Sequence, residues 1–134
     1  MEGEYKEQLP IGFGNLIVTK EDYYIQIEFT GPDQRYTKEI LTIYKHNMDN
    51  YIEAYKTNWK KYLELKEMKS ILGEEFSTKG ELDMSINVGG WNDGVCIYTY
   101  HKRLNSEIEI NEMINSIQWA KEKGPKVMTV LNEN

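Results

Sequence analysis

The chain has 134 residues, of which 40% are hydrophobic and 28% charged, and its formal net charge is −6. These values are typical of a folded protein, so we expect one domain over residues 1–134 and exclude a disordered chain. No apolar run approaches the roughly 18 residues that cross a bilayer, so we expect no membrane partner.

Two features predict a cytoplasmic location. The acidic start MEGEYKEQLP lacks the apolar segment of a signal peptide. The lone cysteine, Cys96, permits no intramolecular disulfide, as is usual in reducing compartments.

The first third of the chain predicts strands. One is expected at Phe13–Thr19, and residues Tyr23–Phe29 alternate between the two faces of a second strand with the period of two that a sheet requires. Gly31-Pro32-Asp33 breaks the pattern. Residues 36–44 stay open, because EILTIY favours a strand while three residues spaced four apart also fit one helix face.

A long amphipathic helix follows, from Met48 to about Lys66, with Asn47 as its N-cap and Gly73 beyond its end. Large aromatic side chains recur along its apolar stripe. We interpret them as packing on a sheet. The alternative is that they line a groove for a planar ligand or a partner helix.

A hairpin and a closing helix complete the predicted elements. Strands are expected at Glu81–Val88 and at Val95–His101. The last helix is expected from Asn111 to the stop at Gly124-Pro125, and the tail KVMTVLNEN then forms an edge strand or lies loosely. The order β-β-β-α-β-β-α predicts an α+β fold, in which an antiparallel sheet of about five strands carries two helices in a two-layer sandwich.

The segment GGWNDG between those two strands is the best candidate binding site. Asn92, Asp93 and the glycines favour a tight turn, because these residue types tolerate positive φ. Turn chemistry does not explain Trp91, which either folds back onto the sheet or anchors a partner. Two acids on one face of the preceding strand, Glu81 and Asp83, are interpreted first as the solvated face of a half-buried sheet. The alternatives are a general acid–base pair and part of a polar docking surface for a basic protein.

Signatures of catalysis and of cofactor binding are lacking in the sequence. The phosphate-binding glycine motifs are absent, and the two histidines, His46 and His101, come from different elements without a metal-binding spacing. Cys96 alternates with tyrosines on a strand, as a buried residue would. We therefore predict no catalytic residues, no metal and no cofactor, and the question of an enzyme stays open.

Residues 47–120 resemble PsbP-like domains in layout: a helix, DNYIEAYKTNWKKYLELK, a hairpin, LDMSINVGGWNDGVCIYTY, and a closing INEMINSIQW helix. The resemblance implies an antiparallel sheet flanked by helices, and a scaffold for protein binding in adaptor or regulatory roles. It carries over no catalytic residue.

The charge distribution makes nucleic acid an unlikely partner, because even the most basic stretch, residues 31–72, has only eight bases against six acids. We expect a small acidic, non-catalytic protein-binding module of the inhibitor, immunity or adaptor type, whose partner is another protein with a basic surface. The alternatives are a structural or assembly protein, and a ligand-binding protein or enzyme with an aromatic pocket.

Overall fold

The computed structural model describes residues 3–30, 38–97 and 101–133. Within them the chain order is four strands and a helix, followed by four more strands and a second helix. The order of elements thus repeats, although the sequence shows no repeat. None of the described helices is long and apolar enough to cross a membrane.

Two compact units divide the chain. Unit 1 comprises Met1–Phe29, Lys38–Ile52 and Glu112–Asn134, and unit 2 comprises Thr30–Thr37 and Glu53–Asn111. The prediction of a single domain stays a prediction.

Unit 1 contains the first antiparallel sheet, whose strands lie in chain order. The strands are β1 (Glu4–Gln8), β2 (Asn15–Thr19), β3 (Tyr23–Thr30) and β4 (Lys38–Tyr44), and a 3-10 turn follows at Lys45–Asn47. The first turns of helix α1 (Met48–Leu72) and most of helix α2 (Glu107–Asn132), from residue 112 onward, belong to the same unit.

Apolar side chains of β2 and β3 form much of the core of unit 1. Leu16, Val18 and Ile25 are fully buried, as are Met113 and Ile117 of α2. Burial of each large aliphatic side chain contributes about 1.5–3 kcal/mol to the free energy of folding. The shared burial of these side chains therefore stabilises the packing of α2 on one face of the sheet.

Gly124 of α2 lies where the helix crosses the ring of Tyr23. A Cβ at residue 124 would stand 2.5 Å from that ring, which is too close for any side chain. The glycine that was expected to end the helix therefore allows α2 to approach the sheet closely.

Unit 2 contains the second antiparallel sheet and the rest of α1, from residue 53. Its strands, again in chain order, are β5 (Phe76–Lys79), β6 (Ser85–Val88), β7 (Gly94–Ile97) and β8 (His101–Leu104), with a 3-10 turn at Glu81–Asp83. Two aromatic residues of the α1 stripe, Tyr55 and Tyr62, are fully buried with apolar residues of β6 and β7. This burial favours the interpretation of the aromatic stripe as packing.

The predicted α+β class, the antiparallel pairing and the two helices are confirmed. The strand count was too low, because eight described strands form two sheets of four. The strands β1 and β5 were missed. Both lie at sheet edges and expose polar side chains, so their hydrophobic alternation is weak.

Four predicted strand limits also change. The strand expected at Phe13–Thr19 begins at Asn15. Residues 38–44 are a strand, whereas 36 and 37 lie outside the described residues. The strand expected at Val95–His101 is instead two strands, β7 and the start of β8, and residues 98–100 lie outside the described part. Glu81–Asp83 is not a strand.

Both helices are longer than predicted. Helix α1 continues to Leu72, and α2 begins at Glu107 rather than Asn111 because Ser106 caps it by accepting a hydrogen bond from the Glu109 N–H at 3.2 Å. Helix α2 also continues through Pro125 to Asn132, so the tail is neither a strand nor loose. Proline removes one helical hydrogen bond, but Leu131 beyond it is buried and stabilises the last turns.

Candidate functional site

Residues 89–94, here called the hairpin tip, comprise the connection from β6 to β7 and the first residue of β7. Asn87 of β6 pairs with Gly94 of β7, as expected for a hairpin. Gly89, Gly90 and Gly94 all have positive φ, which side chains other than glycine rarely adopt. At Gly94 a Cβ would also lie 2.7 Å from the Leu104 carbonyl oxygen of β8.

The side chain of Asp93 braces the hairpin tip in two directions. Its Oδ1 accepts a hydrogen bond from the Gly89 N–H at 2.9 Å, which closes the tip on itself. Its Oδ2 accepts one from the Tyr62 hydroxyl at 2.8 Å, which ties the tip to α1. Burial raises the pKa of Tyr62, and the bond to the Asp93 carboxylate raises it further. The phenol therefore remains a protonated donor across the physiological range.

Trp91 does not fold back onto the sheet, because 91% of its surface is exposed. Its backbone is nevertheless held, since Nη1 of Arg103 in β8 donates a hydrogen bond to the Trp91 carbonyl oxygen. The next carbonyl, that of Asn92, accepts a hydrogen bond from the Cys96 thiol at 3.4 Å. An exposed indole on a held backbone is the arrangement expected of a binding anchor.

A polar cavity of about 370 Å³ opens beside the indole. It is lined by Gly90, Trp91, Asp93, Arg103 and Asn105. A cavity of this size accommodates a side chain of a partner next to the exposed indole.

Glu81 and Asp83 do not share a strand face as predicted. They lie in the 3-10 turn that precedes β6, where Leu82 and Asp83 have φ values of 53° and 59°. The hairpin tip follows β6, so these acids and Trp91 lie at opposite ends of that strand. The structure therefore brings Trp91, Asn92 and Asp93 together but leaves the two acids apart from them.

Two backbone hydrogen bonds close this turn, from the Gly80 N–H to the Met84 carbonyl and from the Met84 N–H to the Glu81 carbonyl. Asn58, a buried polar residue of α1, ties the turn to the helix. Its Oδ1 accepts a hydrogen bond from the Glu81 N–H at 2.7 Å, and its Nδ2 donates one to the Glu81 carbonyl at 3.2 Å. These bonds replace the sheet pairing that a strand at Glu81 would make.

Sequence reasoning missed Tyr62 and Arg103, which hold the hairpin tip, and Asn58, which holds the turn before β6. Asn58 gave a usable signal, because it occupies a position on the apolar stripe of α1 between Tyr55 and Tyr62. Buried polar residues usually satisfy hydrogen bonds to backbone. Arg103 gave no signal, because its role depends on the pairing of β7 with β8.

The described residues offer little for catalysis or metal binding. No three of the described His, Cys, Asp and Glu residues converge as metal ligands. Cys96 is buried, and burial raises the pKa of its thiol, which disfavours the nucleophilic thiolate. His46 is exposed and stacks on Tyr44 with ring centroids 6.1 Å apart.

No family model, curated protein or solved structure matches the chain significantly. The resemblance to PsbP-like domains stays a prediction.

Proposed function

We propose that this chain is a small acidic, non-catalytic protein-binding module of the inhibitor, immunity or adaptor type. The observation that carries the proposal is Trp91, a 91% exposed indole on a hairpin tip whose backbone is held by hydrogen bonds. Tryptophan is the residue type most enriched among interface hot spots, and a held loop loses little conformational entropy on binding.

The end of unit 2 that carries the hairpin tip also exposes an apolar residue of α1. Lys69 of α1 reaches Gly89, since its Nζ lies 3.0 Å from where a Cβ added at residue 89 would stand. Leu72, three residues further on and on the same side of the helix, is 58% exposed. This side chain can supply an apolar part of a docking surface.

The net charge of the whole chain, −6, supports a basic partner. Near the hairpin tip itself the charges are mixed, because Lys69 and Arg103 lie at the tip and the exposed acids Glu67, Glu74 and Glu75 follow or flank the last turns of α1. A negative field accelerates association with a positively charged protein and weakens as salt is added. A cytoplasmic location is part of the proposal, supported by the free buried Cys96.

The test compares Trp91→Ala with Ile40→Ala as a matched control. Ile40 is another exposed apolar residue, at 53%, and it belongs to unit 1, whereas the hairpin tip belongs to unit 2. Tagged proteins are used to capture partners from the native cell lysate at low and high salt, and quantitative mass spectrometry measures each captured protein.

We expect one stoichiometric basic partner, weakened by salt. The Trp91→Ala change should reduce affinity by on the order of 2 kcal/mol, roughly 30-fold, as for a hot-spot residue. The Ile40→Ala protein should bind normally. Equal capture by the wild type and by a folded Trp91→Ala protein would remove Trp91 from the binding surface and refute the proposal.

A further inference from the structure

In the described part of the chain, the first sheet has an open edge at β1. Among the described strands, β1 pairs only with β2. The register pairs Glu4 with Thr19 and Gln8 with Asn15, so it extends over the whole strand.

Two hydrogen bonds determine which backbone groups of β1 point toward this edge. The Leu9 N–H donates to the Gly14 carbonyl at 3.1 Å, and these two residues continue the β1–β2 register as a hydrogen-bonded pair. The Thr19 N–H donates to the Asp22 carbonyl at 2.8 Å, so the backbone of Thr19 is directed at β3. Both bonds therefore identify the same set of β1 residues, every second one from Leu9 backwards, as those whose backbone bonds to β2.

In antiparallel pairs, hydrogen-bonded and non-bonded residues alternate. Tyr5 and Glu7 therefore bond to β2 through their backbone. The N–H and C=O groups of Glu4, Lys6 and Gln8 point outward, in the plane of the sheet, where another strand can bind them.

A groove of about 410 Å³ runs beside this edge on the face covered by α2. Its helical wall is a stripe of residues spaced three and four apart, and Tyr5 of β1 closes it. The lining residues are Tyr5, Trp119, Glu122, Lys123, Lys126, Val127 and Val130.

Lys123 holds the floor of the groove in place. Its ammonium bonds to the Glu7 carboxylate and lies 5.3 Å from the ring centroid of Trp119 and 5.8 Å from that of Tyr5. The hydroxyl of Tyr5 also donates to Glu7. These contacts fix the two rings and leave an apolar wall of valines open to a further side chain.

We propose that the edge of β1 binds an extended peptide segment, which adds an antiparallel fifth strand to the first sheet and places one apolar side chain in the groove. The backbone groups of Glu4, Lys6 and Gln8 supply the hydrogen bonds, and the groove supplies specificity through the residue opposite Tyr5. This is recognition by strand addition.

The charges on the outer face of β1 select the sequence of that peptide. Charged edge strands usually prevent pairing with other chains. Here Glu4 and Lys6 both point away from the groove, and their charges have opposite signs. Opposite charges that face each other across two paired strands stabilise the pairing. The matching peptide carries an acid opposite Lys6 and a base opposite Glu4.

A probe peptide for this edge must run antiparallel to β1, and this direction fixes the order of its residues. Written from its N-terminus, the capped peptide Thr-Thr-Glu-Leu-Lys places its residues opposite Gln8, Glu7, Lys6, Tyr5 and Glu4 in turn. Its leucine is the side chain that enters the groove.

Amide hydrogen exchange measured by NMR on the full chain tests the proposal. In the free protein, the amides of Tyr5 and Glu7 should exchange slowly and those of Lys6 and Gln8 quickly. The probe peptide, added at a saturating concentration, should slow amide exchange at Lys6 and Gln8 by about tenfold or more, because their N–H groups then donate to carbonyl groups of the peptide. Tyr5 and Glu7 should change little.

Two N-methylated peptides provide matched controls. The glutamate N–H of the peptide is expected to bond to Lys6, so its methylation should abolish the protection. The leucine N–H points away from β1, so its methylation should leave the protection intact.

A Lys6→Pro protein tests the same edge from the other side. Proline removes the outward N–H of residue 6 without removing a β1–β2 hydrogen bond, so the sheet should stay intact while peptide binding is lost. The N-methyl comparison decides the question if this variant does not fold.

Three results would overturn the proposal. The first is no protection of Lys6 and Gln8 at peptide concentrations up to about 1 mM, the range of weak peptide affinities. The second is equal binding of the two methylated peptides. The third is a set of shifts confined to Trp119 and Val127, which would show that the groove takes a side chain or small molecule without strand addition.

Discussion

The hydrogen bond between Tyr62 and Asp93 gives the sharpest test of how the hairpin tip is held. Tyr62→Phe removes only the hydroxyl, and Asp93→Ala removes the carboxylate that accepts from both Tyr62 and Gly89. The double variant completes a thermodynamic cycle, which isolates the energy of the Tyr62–Asp93 pair from the other effects of each change.

The expected magnitudes follow from burial. A hydrogen bond to a charged group contributes roughly 1.5–3 kcal/mol, and Asp93 is only half-buried, so water partly replaces the lost hydroxyl. We expect Tyr62→Phe to lower the free energy of unfolding by about 1.5 kcal/mol. Asp93→Ala should cost about 2–4 kcal/mol, because it also loses the bond to Gly89 and leaves the buried Tyr62 hydroxyl without its acceptor.

Urea denaturation of the wild type, the two single variants and the double variant measures the cycle. The double variant should be more stable than the sum of the single losses predicts, by about 1.5 kcal/mol or more. Amide exchange at Gly89 is an internal control, since it should accelerate in Asp93→Ala and stay slow in Tyr62→Phe. Single effects that simply add, within about 0.5 kcal/mol, would refute the view that this bond braces the tip.

Two further predictions concern the turn before β6 and the edge of the first sheet. Asn58→Ala should lower the free energy of unfolding by about 2–4 kcal/mol, since it leaves the Glu81 N–H without its acceptor and removes one of the two donors to the Glu81 carbonyl, the other being the Met84 N–H. Glu64→Ala, on the exposed face of the same helix, is the control. A loss below about 1 kcal/mol in urea denaturation would contradict the role of Asn58. Hydrogen bonding from Lys123 lowers the pKa of Glu7, so the stabilisation by this carboxylate is present above its ordinary pKa and is lost as the pH falls through the lowered value. Thermal melting between about pH 3 and pH 7 should therefore show Glu7→Gln to be less stable than the wild type at neutral pH, and this difference should shrink in acid. The difference in stability should be small, because the Glu7–Lys123 pair lies at the surface. Parallel curves of melting temperature against pH would show that the pair adds no pH dependence.

The elements with strong hydrophobic periodicity could be predicted from sequence alone. Alternation from Tyr23 to Phe29 gave β3, and the apolar stripe from Met48 gave α1, because a buried face must repeat with the period of its element. The GGWNDG segment likewise gave the hairpin, because its glycines supply the positive φ values that the turn requires.

The alternation that began at Glu81 was misleading for a physical reason. Leu82 and Met84 have the spacing of a strand face, but the chain turns at Glu81–Asp83 before β6 begins. The Met84 N–H bonds back to the Glu81 carbonyl, and the side chain of Asn58 bonds to both backbone groups of Glu81. A competing side chain from a distant part of the sequence leaves no trace in the local pattern.

The sequence by itself determined the α+β class, the two helices and a tryptophan at the tip of a hairpin, because periodicity and turn chemistry are local properties. Only the tertiary structure decided the two sheets, the helix that continues through Pro125 and the open edge at β1. It also decided that Asp93, by bonding to Tyr62 and Gly89, holds the tip with its indole exposed. These features depend on contacts between residues far apart in the chain, whose burial and hydrogen bonds outweigh local preference.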